Sequence, residues 1–193
     1  MFRVPKCRAT VKLCGMDGSV TRGSLFVDPA SPRHGGQQTV LERLNGPEGF
    51  LVLEVGDAGQ IEIFQKRHLL RVTPSAETVM DHVFVPDGLV TRQEDVIMTM
   101  TNGSTMHGRI WMGLPHDRSR LSDFLNMGEE FFPLLIPGGI HLVRTDAVVK
   151  AVPLASAPTG EEATKEDLSA IQGTFRDSFE HAGGTVRPGL GRD

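Results

Sequence analysis

The stretch Val96-Ile97-Met98-Thr99-Met100-Thr101-Asn102-Gly103-Ser104 decides the fold. Val96, Met98 and Met100 alternate with Ile97, Thr99 and Thr101, the period of two that belongs to a strand with two unlike faces. Asn102-Gly103 then turns the chain, because a type I′ hairpin turn needs positive φ at both central residues and Asn-Gly tolerates it. Gly108 falls early in the strand that follows, and a glycine there marks a bend or a close approach of another backbone. A strand, a tight turn and a glycine-bent second strand open a small, strongly curved β structure.

The same opening occurs earlier in the chain. Val11, Gly18, Ser19 and Gly23 precede Val96, Gly103, Ser104 and Gly108 by 85 residues each. Leu44, Asn45, Glu48, Phe50 and Leu53 precede Leu125, Asn126, Glu129, Phe131 and Leu134 by 81, and Ile61 and Pro74 precede Ile140 and Pro153 by 79. The spacing shortens only between elements, as when loops change length and strands do not. Ordered self-similarity of this kind marks an internal duplication. It divides the chain into a first barrel over 1–74, a linker over 75–91, a second barrel over 92–153 and a tail over 154–193. A unit of some sixty residues buries only about 60% of its extended surface and is marginal alone, so two fused copies gain by sharing an interface.

Each copy reads as five short strands. Strand two continues as Ser24-Leu25-Phe26-Val27 or Arg109-Ile110-Trp111-Met112. Its period places Leu25, Val27, Ile110 and Met112 on one face and Phe26 and Trp111 on the other. Strand three is 50–55 or 131–136, with Phe50, Leu53, Phe131 and Leu134 expected in the core. Strand four is 61–64 or 140–143, and strand five is 69–72 or 148–152. Five short strands punctuated by turns indicate an all-β barrel or sandwich. Between strands two and three, Arg120-Leu121-Ser122-Asp123-Phe124-Leu125-Asn126 reads as a short helical turn. Ser122 is its expected cap, Leu121, Phe124 and Leu125 fold beneath it, and Asn126, like Asn45, ends it in a left-handed conformation.

The order of these elements resembles the Sm-like small β-barrel. The resemblance rests on the strand, the Asp-Gly or Asn-Gly turn, the glycine-bent second strand and the closing Leu142-Val143-Arg144-Thr145-Asp146-Ala147-Val148-Val149-Lys150-Ala151-Val152. Thr145 stands where the family's Arg-Gly-Asp motif has glycine, and the first copy reads Phe64-Gln65-Lys66-Arg67-His68. The family's short Asp-Met-Asn RNA loop is absent. The string from Arg120 to Asn126 also resembles a signature of uncharacterised bacterial proteins to which no activity attaches. The resemblance implies two tandem Sm-like or SH3-like barrels and raises RNA as a ligand.

Chemistry is sparse. Residues 1–153 carry 16 Lys/Arg against 17 Asp/Glu, a net charge of −1, whereas RNA-binding domains are usually basic. There is no tyrosine to stack bases. Arg109, Arg118 and Arg120 form the local cluster an RNA-binding reading would use. Arg67 and Arg71, with Asn102-Gly103-Ser104, faintly match a cyclic-dinucleotide barrel of the PilZ type; both arginines read as the outward face of strand five. The seven histidines form no His-x-His or His-x-x-x-His pair. No acid, base and nucleophile converge in sequence, and no phosphate loop occurs. No catalytic residue, metal site or cofactor is assigned. Cys7 and Cys14 have no metal-site spacing and read as two reduced thiols on the first strand. No apolar run approaches the length that spans a bilayer, and the N-terminus lacks the apolar core of a signal peptide, so a cytoplasmic protein without membrane insertion is expected.

The tail carries one ordered pattern. Leu168, Ile171, Phe175 and Phe179 form a helical stripe, with Thr164 and Asp167 as a capping pair and Gly183 as a stop. An amphipathic helix over about 164–182 in flexible surroundings is expected. These expectations compose a non-enzymatic bacterial adaptor or scaffold that contacts protein partners, copies of itself among the candidates. Its contacts would run through Phe26, Trp111 and the tail stripe. An RNA-binding regulator and a small-ligand (nucleotide) sensor are the alternatives.

Overall fold

A computed structural model describes residues 6–75, 78, 83–84, 90, 92–115 and 120–154. The expected tail helix with Leu168, Ile171, Phe175 and Phe179, most of the linker, and Arg118 lie outside the described residues. The fold is all-β with two short helices. The first half runs β1 (Cys7–Gly15), β2 (Val20–Val27), α1 (Val40–Leu44), β3 (Phe50–Val55), β4 (Gln60–Gln65), a 3₁₀ turn (Lys66–His68) and β5 (Leu69–Pro74). The second half runs β6 (Arg92–Met100), β7 (Thr105–Met112), α2 (Leu121–Leu125), β8 (Phe131–Ile136), β9 (Gly139–Arg144), a 3₁₀ turn (Thr145–Ala147) and β10 (Val148–Pro153). Each element of the first half has a counterpart of equal length in the second, at the spacings of 85, 81 and 79 residues.

All ten strands belong to one antiparallel sheet in the order β10-β6-β7-β8-β9-β5-β1-β2-β3-β4. Within each half the last strand returns to pair with the first: β5 with β1, and β10 with β6. The halves meet where β5 pairs with β9, Arg71 opposite Val143 and Val72 opposite Leu142. That leaves β4 and β10 as the two outer strands among the described residues.

The hairpin turns depart from the expected type I′. Gly15 N–H donates to Ser19 O and Gly18 N–H to Gly15 O, with the same bonds between Met100, Ser104 and Gly103 in the second half. The connection therefore holds three residues, ending in Gly18 (φ 84°) or Gly103 (φ 79°). Three-residue connections commonly end in a left-handed glycine. Asp17 Oδ1 accepts from Ser19 N–H and Oγ, and Asn102 Oδ1 accepts from Ser104 N–H and Oγ. These bonds explain why Asp/Asn-Gly-Ser occurs twice. The Ser19 hydroxyl bond is the largest cause holding Asp17 below the usual carboxylate range.

The bend glycines act by proximity. A Cβ on Gly23 would lie 2.4 Å from Glu54 O, and one on Gly108 would lie 2.5 Å from Leu135 O. Glycine is needed there because strand three crosses the second strand closely.

Two cores follow from the alternation. The first gathers Val11, Leu13, Leu25, Val27, Leu44 and Leu53; the second gathers Val96, Met98, Met100, Ile110, Met112 and Leu134. Fully burying each such side chain contributes about 1.5–3 kcal/mol. Phe131 is fully buried as expected, but Phe50 is 52% exposed. The expectation of a buried Phe50 fails because no described residue covers the β4 end, whereas the first half covers Phe131.

The short helices also differ from their sequence reading. α1 is capped by Thr39, whose hydroxyl accepts from Glu42 N–H while Glu42 accepts from Thr39 N–H. α2 starts after Arg120 without a side-chain cap, so Ser122 is not its cap. Asn45 and Asn126 close the helices at φ −87° and −92°, not in the left-handed region. Leu121 is buried, and Phe124 packs edge-on against Phe132 at 5.8 Å, as a helix folded onto the sheet requires.

Candidate functional site

The junction between halves is built from exchanged side chains. Ile140 and Leu142 of β9, with Phe131 of β8, enter the core of the first half, and Leu70 of β5 enters that of the second. Asn45, at the end of α1, fixes the register: its Oδ1 accepts from Phe131 N–H at 2.8 Å and its Nδ2 donates to Phe131 O at 2.9 Å. Lys66 is almost fully buried there. Its ammonium donates to Gly46 O at 2.7 Å and lies 3.5 Å from Glu130. Thr73 Oγ1 meets His141 Nδ1 across the β5–β9 pair at 3.0 Å. Burial above all, then the charges of Arg71 and Lys12, push the His141 pKa down to about 4.

A cavity of about 380 Å³ opens beside this junction. Leu41, Glu42 and Asn45 line it from the first half, and Trp111, Phe124 and Phe131 from the second, with Phe84 between. Trp111 is buried, stands edge-on to Phe84 at 6.3 Å, and has no hydrogen-bond partner for its indole N–H. Burial would raise the Glu42 pKa. Hydrogen bonds from Ser31 and Thr39, together with His34, outweigh it and hold Glu42 below the usual range.

The structure separates the other residues singled out from sequence. Phe26 is half-buried on β2 with the Arg8 guanidinium 6.0 Å over its ring, far in the fold order from Trp111's strand. Arg109 is tied to Asp95 by two bonds of 2.8 and 3.1 Å, and that pairing raises its pKa. Arg120 is exposed before α2. Arg67 lies in the 3₁₀ turn rather than on strand five, and Arg71 sits on β5, half-buried, donating to Met106 Sδ at 3.3 Å. Among the described residues no three His, Cys, Asp or Glu side chains gather in a way that could hold a metal, and no helix is long and apolar enough to cross a membrane.

Sequence reasoning finds β4 and β10 as strands but does not mark them as the outer ones. β4 exposes Ile61 and Ile63, and β10 exposes Val149 and Val152. The alternation of Ile61 and Ile63 matches that of inner strands, so sequence alone does not mark β4 as an edge. Among the described residues the outer strands also have no strand paired on one side, which makes them templates for another strand. No family model matches this chain, and neither does any curated protein or solved structure.

Proposed function

We propose that the chain is a duplicated pair of Sm-like small barrels that serves as a non-enzymatic adaptor or scaffold, contacting other polypeptides by strand addition at its two sheet edges. The observation that carries this reading is the coincidence of open edge and exposed apolar side chains: Ile61 and Ile63 on β4, Val149 and Val152 on β10. Strand addition takes affinity from main-chain hydrogen bonds and specificity from alternate side chains. Both are on offer at these edges. The near-neutral charge of residues 1–153 and the engagement of Arg109 by Asp95 weigh against the RNA-binding alternative. The test is affinity purification from the native host with mass spectrometry, comparing the full chain with Ile61→Lys/Ile63→Lys and with Val149→Lys/Val152→Lys. Each variant is expected to lose specific partners while melting as the parent does. An unchanged partner set for both variants would remove the reading.

A second reading, a small-ligand sensor, draws on the junction cavity and the unpartnered indole N–H of Trp111. Concave, mostly apolar spaces with a few polar groups are the usual form of a ligand site. Trp111 is the sole tryptophan, so its emission reports occupancy directly. Titration with nucleotides, cyclic dinucleotides included, should shift that emission saturably. A flat response through the millimolar range removes this reading.

A further inference from the structure

The two open edges are counterparts of the two strands that already pair inside the chain. Element by element, β10 corresponds to β5 and β4 corresponds to β9. The β5–β9 pair is therefore a working example of how a β10 edge would receive a β4 edge.

The side chains agree with this correspondence. Ile140 and Leu142 are buried at the junction; their counterparts on β4 are Ile61, 53% exposed, and Ile63, 67% exposed. Leu70 is buried at the junction; its counterpart Val149 is 65% exposed. Phe131 is buried beneath the first half; its counterpart Phe50 is exposed. The polar clamp is duplicated too. Asn45 grips the main chain of Phe131, while its counterpart Asn126 is exposed and its amide donates only to Ser122 O within its own helix. Charge improves on the internal case. Where the junction sets Arg71 near His141, the counterparts are Lys150 and Glu62, of opposite sign.

We propose that this protein assembles head-to-tail with copies of itself: β10 of one chain adds antiparallel to β4 of the next in the register of the internal junction. Ala151 then faces Ile63, Lys150 faces Phe64, and Asn126 clamps the main chain of Phe50. This inference rests on the strand-addition reading above and names its partner. The edges are complementary, not identical, so the contact is heterologous and repeats from chain to chain until a ring closes or a filament extends. One flank differs from the internal junction. Leu135, which packs there, has Glu54 as its counterpart, and Glu54 is paired with Arg8. The contact between chains is accordingly more polar than the contact within one.

The test uses the full chain in light scattering coupled to size exclusion and in sedimentation. The parent should have a mass that is a multiple of the monomer. Ile61→Lys/Ile63→Lys and Val149→Lys/Val152→Lys should each be monomeric with unchanged melting, since all four side chains are exposed in the single chain. Mixed in equal amounts, the two variants should form a two-chain species, because each keeps the edge the other lacks. A two-fold contact between like edges would instead leave one variant fully associated and the mixture unchanged. Lys150→Glu should weaken association roughly twofold to fivefold, and adding Glu62→Lys should restore it, as expected for an exposed ion pair. Independently of those variants, Glu62→Cys/Val152→Cys, placed as His141 and Thr73 are, should give a ladder of disulfide-linked chains that the parent does not. A monomeric parent, a variant that keeps the parent mass, an inert mixture or the absence of the ladder each overturns the proposal. If the parent is monomeric while the edge variants still lose partners from the host, only self-assembly fails and strand addition to another protein stands.

Discussion

His141 should make the fold sensitive to mild acid. It lies on β9 opposite Thr73, partly enclosed, with the Arg71 and Lys12 charges near its ring. Its pKa falls from 6.5 to about 4, first through burial and then through those two cations, with a main-chain bond at Ile140 opposing slightly. In the unfolded chain the ring protonates near its ordinary value. Between those two values the unfolded state binds more protons than the folded one, so stability rises with pH across that window. The contribution is complete above pH 6.5, is lost as pH falls toward 4, and changes no further below that, where both states are protonated. A gap of about two and a half pH units, at about 1.4 kcal/mol per unit, corresponds to a loss on the order of 3 kcal/mol. Urea unfolding followed by Trp111 emission, at intervals from pH 7 to pH 4, measures it. His141→Gln keeps a hydrogen-bonding group for Thr73 and carries no titration. Its stability should fall less steeply than the parent's over the same interval, the difference between the two curves isolating the imidazole from the carboxylates. Parallel curves would refute the claim that this ring is held neutral by the junction.

Three further outcomes follow from the geometry. Asn45→Ala strands the N–H and C=O of Phe131, and chemical denaturation should show a loss of about 1–3 kcal/mol. Phe131→Ala should cost about 3–5 kcal/mol, whereas Phe50→Ala, at an exposed site, should stay within about 0.5 kcal/mol; equal losses measured below the association range would undo the assignment of Phe131 to the junction. Gly108→Ala places a methyl against Leu135 O and Leu134, and thermal unfolding should show a loss of about 1–3 kcal/mol, with Gly23→Ala behaving alike against Glu54 O.

Local features were legible in the sequence and non-local ones were not. The sequence predicts strand three at 50–55 and 131–136 and it occupies those residues, because alternation is a property of neighbouring positions. Gly23 and Gly108 were legible for the same reason: only glycine permits the crossing of strand three. Phe50 and Phe131 could not be told apart, since each follows the same Leu-Asn pair and opens the same strand. Their fates diverge because two matching halves joined in line have one internal junction and two ends. Whichever residue falls at the junction is covered, and its counterpart at the end is not. Asn45 and Asn126 divide in the same way, one gripping Phe131 and the other turned back on its own helix. The Trp111 cavity was equally hidden, for it takes walls from both halves and from Phe84.

That division bears on why the ends look as they do. An outer strand exposed to water is a hazard, and proteins blunt it with charges, prolines or bulges. β4 reads Gln60-Ile61-Glu62-Ile63-Phe64-Gln65, with one charge and no proline, and exposes both isoleucines. β10 has Lys150 and places its proline only at the final position, Pro153. β10 is also bulged between Val148 and Lys150, so it is β4 that least carries the protection a permanently solvated edge calls for. The second half shows that the same positions, Ile140 and Leu142, are apolar where they are covered. An edge that keeps the apolar pattern of a covered strand is the edge of an interface, and the strand that fits it, down to the asparagine at the end of the neighbouring helix, lies at the other end of this chain.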